Sequence, residues 1–161
     1  MFRIIKWLIA LPLGAFIFFN AYVYGNIITY RAVAPNKTAF MAMRMRQFQS
    51  EGKDVALDYR WVPYDRISVN LKKALIASED AKFAEHGGFD WGGIQYAIKR
   101  NKQSGEVKAG GSTISQQLAK NLFLNESRSY IRKGEEAAIT AMMEAVTDKD
   151  RIFELYLNAI E

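Results

Sequence analysis

The chain has 161 residues, half of them hydrophobic, and a formal net charge of +5 from 22 Lys and Arg against 17 Asp and Glu. That length suits one domain plus an anchor. With no Cys and a single His, the composition excludes disulfides, thiolate metal sites, a Cys nucleophile and a His-rich metal site. The basic balance leaves nucleic acid, an anionic membrane or a phosphorylated substrate as partner classes.

The N-terminus decides among the three, against nucleic acid. No charged residue occurs from Trp7 to Tyr30. As a helix this run would span ~36 Å at ~1.5 Å per residue, against ~30 Å of bilayer core. Arg3 and Lys6 precede it, which keeps the N-terminus in the cytoplasm, and Tyr22, Tyr24 and Tyr30 suit the outer interface. A cleaved signal peptide is the competing reading. The length of the run and the want of a small-x-small cleavage site favour an uncleaved anchor. Pro12 is compatible with a kinked span.

Residues 31–54 read as a juxtamembrane segment. Within it, Ala39 to Phe48 mixes Phe and Met with Arg44 and Arg46. Two readings stay open: a helix lying on anionic lipid, or an ordinary amphipathic helix packed on its own domain. Val55, Leu57, Tyr59 and Trp61 alternate with Ala56, Asp58 and Arg60, the period of a short strand that Pro63 ends.

The rest is helical in pattern. Ser68 or Asn70 caps a helix running to about Glu85, stopped by His86-Gly87-Gly88. Asp90 caps a second, with Trp91, Ile94 and Ile98 as its stripe. A loop from Lys102 to Gly111 leads to Thr113 and Gln116, which fit a capping box for a third helix reaching about Leu122. A fourth runs from about Tyr130 to Val146. The last carries Ile152, Leu155, Tyr156, Ala159 and Ile160 at i, i+3, i+4 spacing. Glu161 falls within this amphipathic helix, without Gly, Pro or a polar tail, so a continuation of the protein is expected.

Three segments carry candidate chemistry. Leu71, Leu75, Glu79 and Phe83 are spaced by four, which sets Glu79 in an apolar stripe where burial would tune it as a general acid or base. Pairing with Lys72 or Lys82 is the bland alternative. From Lys108 to Asn121, paired glycines precede a helix start whose free N–H groups attract anions. Ser112, Thr113 and Ser115 add hydroxyls there, and Lys120, Arg128, Arg132 and Lys133 add cations, together a credible pyrophosphate site. A capped helix with a solvated basic face is the alternative. Third, Glu136 shares a helix face with Ile139 and Met143, a second carboxylate among apolar neighbours; a surface charge run is its alternative. The lone His86 is expected to close a helix or bond a nearby backbone group.

These segments resemble, in order, the motifs of the family 51 glycosyltransferases. Glu79-Asp80-x-x-Phe83-x-x-His86-x-Gly88-x-Asp90 is similar to the first, and Gly110 to Asn121 to the second. Arg132-Lys133-x-x-Glu136 onwards to Glu144 is similar to the third, and Lys149 to Asn158 to the start of the fourth. The single anchor and the Trp61 to Ser68 lead-in resemble the monofunctional biosynthetic transglycosylases more than the bifunctional penicillin-binding proteins. Ser115 stands where Thr is commoner, and Gly134-Glu135 is unusual in the third motif, with Gly134 weakening its helix.

The resemblance implies a mainly α fold, an N-terminal transmembrane helix followed by a lysozyme-like glycosyltransferase domain cut short at its C-terminus. The expected division is 1–30 as cytoplasmic tip and anchor, 31–54 as juxtamembrane or jaw segment, and 55–161 as an incomplete catalytic domain. It implies polymerisation of lipid II into β-1,4 glycan, with inversion and release of undecaprenyl diphosphate, on the periplasmic side of a bacterial inner membrane. Glu79 matches the catalytic base and Glu136 the second glutamate. Ser112, Gln117, Lys120, Asn121, Arg128 and Arg132 match or lie near donor-site positions, with Lys120 and Arg128 foremost for pyrophosphate. A divalent cation, Mg or Mn, is the one cofactor raised, with Glu136 as its ligand. Partners implied are lipid II, the growing glycan and membrane lipid, with the divisome or other cell-wall synthases beyond them. The rival functions are a lytic lysozyme-like hydrolase and an inactive membrane-anchored scaffold.

Overall fold

A computed structural model describes residues 2–106 and 110–160. Lys108 and Glu161, which the sequence reading invoked, lie outside the described residues. Helix α1 (Phe2–Tyr30) takes up the uncharged run and carries Pro12 within it. Its segment Lys6–Tyr30 is long and apolar enough to cross a membrane. Trp7, Leu11, Phe16 and Phe18 stand exposed on it. The last third is different: Val23 and Ile27 are buried in the same core as Leu118, Ile139 and Phe153, and the Tyr30 ring stacks on Phe123 at 6.1 Å. Helix α1 is therefore packed onto the domain along its last turns.

Arg151 secures that junction. Its Nε donates to the Tyr30 carbonyl (2.7 Å) and an Nη to the Val33 carbonyl (3.0 Å). These are the acceptors that a helix end and the turn after it leave open. The guanidinium also pairs with Glu154 at 2.6 Å and lies over the Trp61 ring at 5.0 Å.

After α2 (Ala39–Ser50), capped by Thr38, a 3₁₀ turn covers Tyr64–Arg66. The helices α3 (Val69–Glu79), α4 (Trp91–Ser104), α5 (Ile114–Phe123), α6 (Tyr130–Val146) and α7 (Lys149–Ala159) follow. The centre is α5, flanked by α6 and α7 with α2 across it. Ile114, Leu118 and Leu122 of α5 meet Ile139 and Met143 of α6 and Ile152, Phe153 and Tyr156 of α7. The expected capping box is present: Thr113 Oγ1 accepts from the Gln116 N–H, and Gln116 Oε1 accepts from the Thr113 N–H. Asp90 caps α4 as expected.

Four expectations change. Residues 55–61 are irregular, and no strand is present among the described residues for them to pair with. Instead Asn158 satisfies the backbone of this segment from the side: its Oδ1 accepts from the Val62 N–H (2.7 Å) and its Nδ2 donates to the Val62 carbonyl (2.9 Å). Helix α3 stops at Glu79 rather than Glu85. On α4 the packed face is Ile94 and Ala97, while Trp91 and Ile98 are exposed; Gly111 passes close to this face, and a Cβ on it would stand 3.2 Å from the Ile94 Cα. On α7, Phe153 joins the buried stripe and Ile160 falls at its cap. As for α2, its inner face packs on the domain through buried Phe40, and Arg44 pairs with Glu126 at 3.1 Å.

Two glycines make opposite predictions. A Cβ on Gly134 meets nothing within 4 Å, so Gly134→Ala should raise stability by about 1 kcal/mol through helix propensity. Gly88 has φ +90, and a Cβ there would stand 2.7 Å from Thr140 and 2.9 Å from Glu144. Gly88→Ala should cost about 2 kcal/mol or more through strain and overpacking. Thermal melts of the two variants check both signs.

Candidate active site

The site begins where α3 ends. Asp80 has extended backbone (φ −161) and a buried carboxylate. Its Oδ2 accepts from the Ile114 N–H at 3.1 Å. His86 Nε2 lies 3.0 and 3.1 Å from the two Asp80 oxygens, while His86 Nδ1 accepts from the Gly88 N–H at 3.2 Å. Since Nδ1 accepts from Gly88, Nε2 carries the hydrogen that meets Asp80, and His86 does bond a backbone group. Thr113 Oγ1 closes the other side by donating to the Gly88 carbonyl at 2.7 Å.

This arrangement corrects the expected anion site at the start of α5. Of the four N–H groups a helix start leaves open, those of Thr113, Ile114 and Gln116 are already taken by Gln116, Asp80 and Thr113. The anion bound there is the chain's own Asp80. Ser115 is likewise engaged, donating to Glu144 beneath Gly88. Of the three hydroxyls only Ser112 is exposed.

Helix termination also changes the place of Glu79. It is the last residue of α3 and exposed, not buried in a stripe with Phe83, which sits in the following turn. It lines a cleft of about 380 Å³ with Lys82, Tyr96, Gly111 and Ser112. No salt bridge joins it to Lys72 or Lys82 among the described residues; Lys72 donates to the Tyr64 carbonyl at 3.1 Å and lies over that ring. The partner of Glu79 is Gln117, whose Nε2 donates to Glu79 Oε2 at 2.9 Å. Gln117 Oε1 in turn accepts from the Tyr156 hydroxyl at 3.3 Å. Burial, with the charges of Glu79 and Asp80 adding to it, pushes the Tyr156 phenol up to about 12.

A second cluster lies across Ser112. Lys133 Nζ donates to Ser112 Oγ at 3.1 Å and to Glu136 Oε1. Arg132 binds the other oxygen, Oε2, at 2.6 Å, and its Nε donates to the Ser127 carbonyl at 2.6 Å. Glu136 is buried, as its stripe with Ile139 and Met143 required. Ser112 and Lys133 line a smaller cleft of about 260 Å³ with Ile94, Ala97 and Gln116. Ser112 thus borders both clefts.

Glu136 does not fit a divalent-cation ligand in this arrangement. Both its oxygens are held by cations, and among the described residues no group of three His, Asp or Glu could hold a metal. The structure brings together Glu79 with Gln117, and Ser112 with Arg132 and Glu136. It does not join Lys120, Asn121 or Arg128 to either group by a hydrogen bond or ion pair among the described residues. Lys120 lies over the Phe40 ring at 5.2 Å, Asn121 is buried on α5, and Arg128 is exposed before α6. Sequence reasoning placed Lys133 among the cations of the expected pyrophosphate site and missed Tyr156 as a site residue. Lys133 was visible as a cation three residues before Glu136, but nothing in the spacing tied it to Ser112. Tyr156 read only as part of a core stripe.

Comparison with known proteins gives a consistent picture. The family model described as Transglycosylase matches residues 44–161. A biosynthetic peptidoglycan transglycosylase of Neisseria meningitidis serogroup C (strain 053442) is 88% identical over all of this chain, which covers 69% of that relative. A protein of the same description from Neisseria gonorrhoeae (strain NCCP11945) is 86% identical over the same shares.

The buried charge cluster makes its own prediction. Removing one partner of a buried pair leaves the other uncompensated, at about 3–5 kcal/mol. Glu136→Gln should therefore destabilise the domain by about 3 kcal/mol in urea unfolding. An unchanged midpoint would mean that Arg132 and Lys133 are solvated without it.

Proposed function

This chain belongs to the transglycosylase family and is a peptidoglycan glycosyltransferase, and on that premise we propose that Glu79 is its general base and that Ser112, Gln117 and the cations around them hold the lipid-linked substrates. The substrates are lipid II and the growing glycan chain. The acceptor 4-hydroxyl gives its proton to Glu79 while its oxygen attacks the anomeric carbon of the donor. The bond from that carbon to the lipid diphosphate breaks with inversion, and a β-1,4 link forms. One observation carries the reading: an exposed carboxylate, steadied by the Gln117 amide, opens into a cleft that ends at Ser112, where a cation is bound.

The leaving group carries the charge that builds in the transition state, so cations are the groups that matter there. Lys133 is the one bonded to Ser112. Lys120 and Arg128 are retained as diphosphate ligands: each has no carboxylate partner among the described residues, and each lies on or beside the helices that bear the site. Glu136 then acts by holding Arg132 and Lys133. This favours transfer over lysis, because a two-carboxylate hydrolase needs its second carboxylate free to face the sugar or its water, and both Glu136 oxygens are occupied.

The anchor supports a location on the outer face of a bacterial inner membrane, with Lys6 on the cytoplasmic side. The start of α6 supports contact of the domain with that membrane. Glu135, in the second turn of α6, lines a cleft with Phe19 of α1, and Tyr130 and Ile131 in the turn before it are 98% and 78% exposed. Membrane lipid would cover them.

Glu79→Gln should fold normally and lose lipid II polymerisation by ~10²-fold or more. Lys120→Ala should lose ~2–4 kcal/mol of transition-state stabilisation. Glycan formation from lipid II by each variant, with helicity checked by circular dichroism, decides the matter. Near-normal turnover by the first variant would remove Glu79 as base; wild-type rates for the second would place the diphosphate elsewhere.

A further inference from the structure

Glu79 is exposed at the last residue of a helix, a position where a Glu side chain ordinarily moves among its rotamers. A base that must meet one hydroxyl within hydrogen-bond reach needs restraint. The one side-chain partner of Glu79 among the described residues is the Gln117 amide, and Gln117 is itself only half-buried. The restraint must come from something rigid behind it.

We infer that Tyr156 is a positioning residue for the transfer reaction: its hydroxyl tethers Gln117, which turns its NH₂ toward Glu79 and holds the base in the cleft. Tyr156 is 2% exposed and its ring stacks on Phe153 at 6.2 Å, so its hydroxyl is fixed by the core. That hydroxyl donates to Gln117 Oε1. An amide whose oxygen is occupied in this way has its nitrogen end left for the carboxylate, which can only accept. Rigidity passes from α7 through α5 to the end of α3 by two hydrogen bonds. The phenol keeps its proton at any pH at which the enzyme would work, because burial and the neighbouring carboxylates oppose its ionisation.

The inference rests on Glu79 being the base, and the test separates the two. Lipid II polymerisation is measured for the wild type and for Glu79→Gln, Tyr156→Phe, Gln117→Ala and the Tyr156→Phe/Gln117→Ala double variant. Phe keeps the ring and its stacking, so Tyr156→Phe should fold. It should lower kcat by about 3- to 10-fold, the rate equivalent of one hydrogen bond, with KM changed by less than about 2-fold. In the Gln117→Ala background the same substitution should have no further effect, because its route to Glu79 is already cut. A purely structural role predicts equal loss in both backgrounds, and that result, or a wild-type kcat for Tyr156→Phe, would overturn the inference while Glu79→Gln remained inactive. An active Glu79→Gln would instead overturn the base assignment on which it rests.

Discussion

The carboxylate of Asp80 at the start of α5 is the contact on which the rest of the site depends. A helix start leaves its N–H groups without intrahelical partners, and burying them unpaired is costly. Asp80 meets that demand at Ile114, and to do so the chain must leave helical geometry at Asp80. The break makes Glu79 a terminal residue facing a cleft instead of a mid-helix residue facing the core. His86 then orients the carboxylate, and Gly88, too close to α6 for any side chain, lets the loop lie flat beneath it. A structural interaction thereby fixes where the proposed base stands.

Charge follows a parallel division. The chain concentrates Arg128, Arg132 and Lys133 around the start of α6, opposite to what the helix dipole favours at an N-terminus. Buried Glu136 offsets two of them, and the short distance to both Arg132 and Lys133 holds these cations in place next to Ser112. Cations fixed in advance lose little on meeting a diphosphate, which is how preorganised charge lowers a barrier. On the proposed reading the carboxylate would contribute to diphosphate binding without touching the anion.

Much of this was legible in the sequence. The boundaries of α6, the capping box at Thr113 and Gln116, and the buried Glu136 followed from spacing alone, because each is a local pattern with one geometric solution. The long apolar helix α1 followed from the absence of charge over its run. What could not be read were the contacts that join distant segments. Asp80 to Ile114, Asn158 to Val62 and Lys133 to Ser112 leave no periodic trace: the first cut a four-residue stripe at Glu79 and filled an open helix start, the second turned a strand into a side-chain-paired segment, and the third joined a cation to Ser112. Trp91 and Ile98 misled for a related reason, since the Gly111 backbone, distant in sequence, meets α4 at Ile94 and Ala97.

The central claim is that Asp80 holds the start of α5, and amide hydrogen exchange at Ile114 tests it most directly. Its N–H has Asp80 as its one partner among the described residues. In Asp80→Ala the Ile114 amide should exchange about 10- to 100-fold faster than in the wild type, as expected for the loss of one hydrogen bond to a charged acceptor, while amides in the middle of α1 keep their protection. Equal protection of Ile114 in the two proteins would contradict the account.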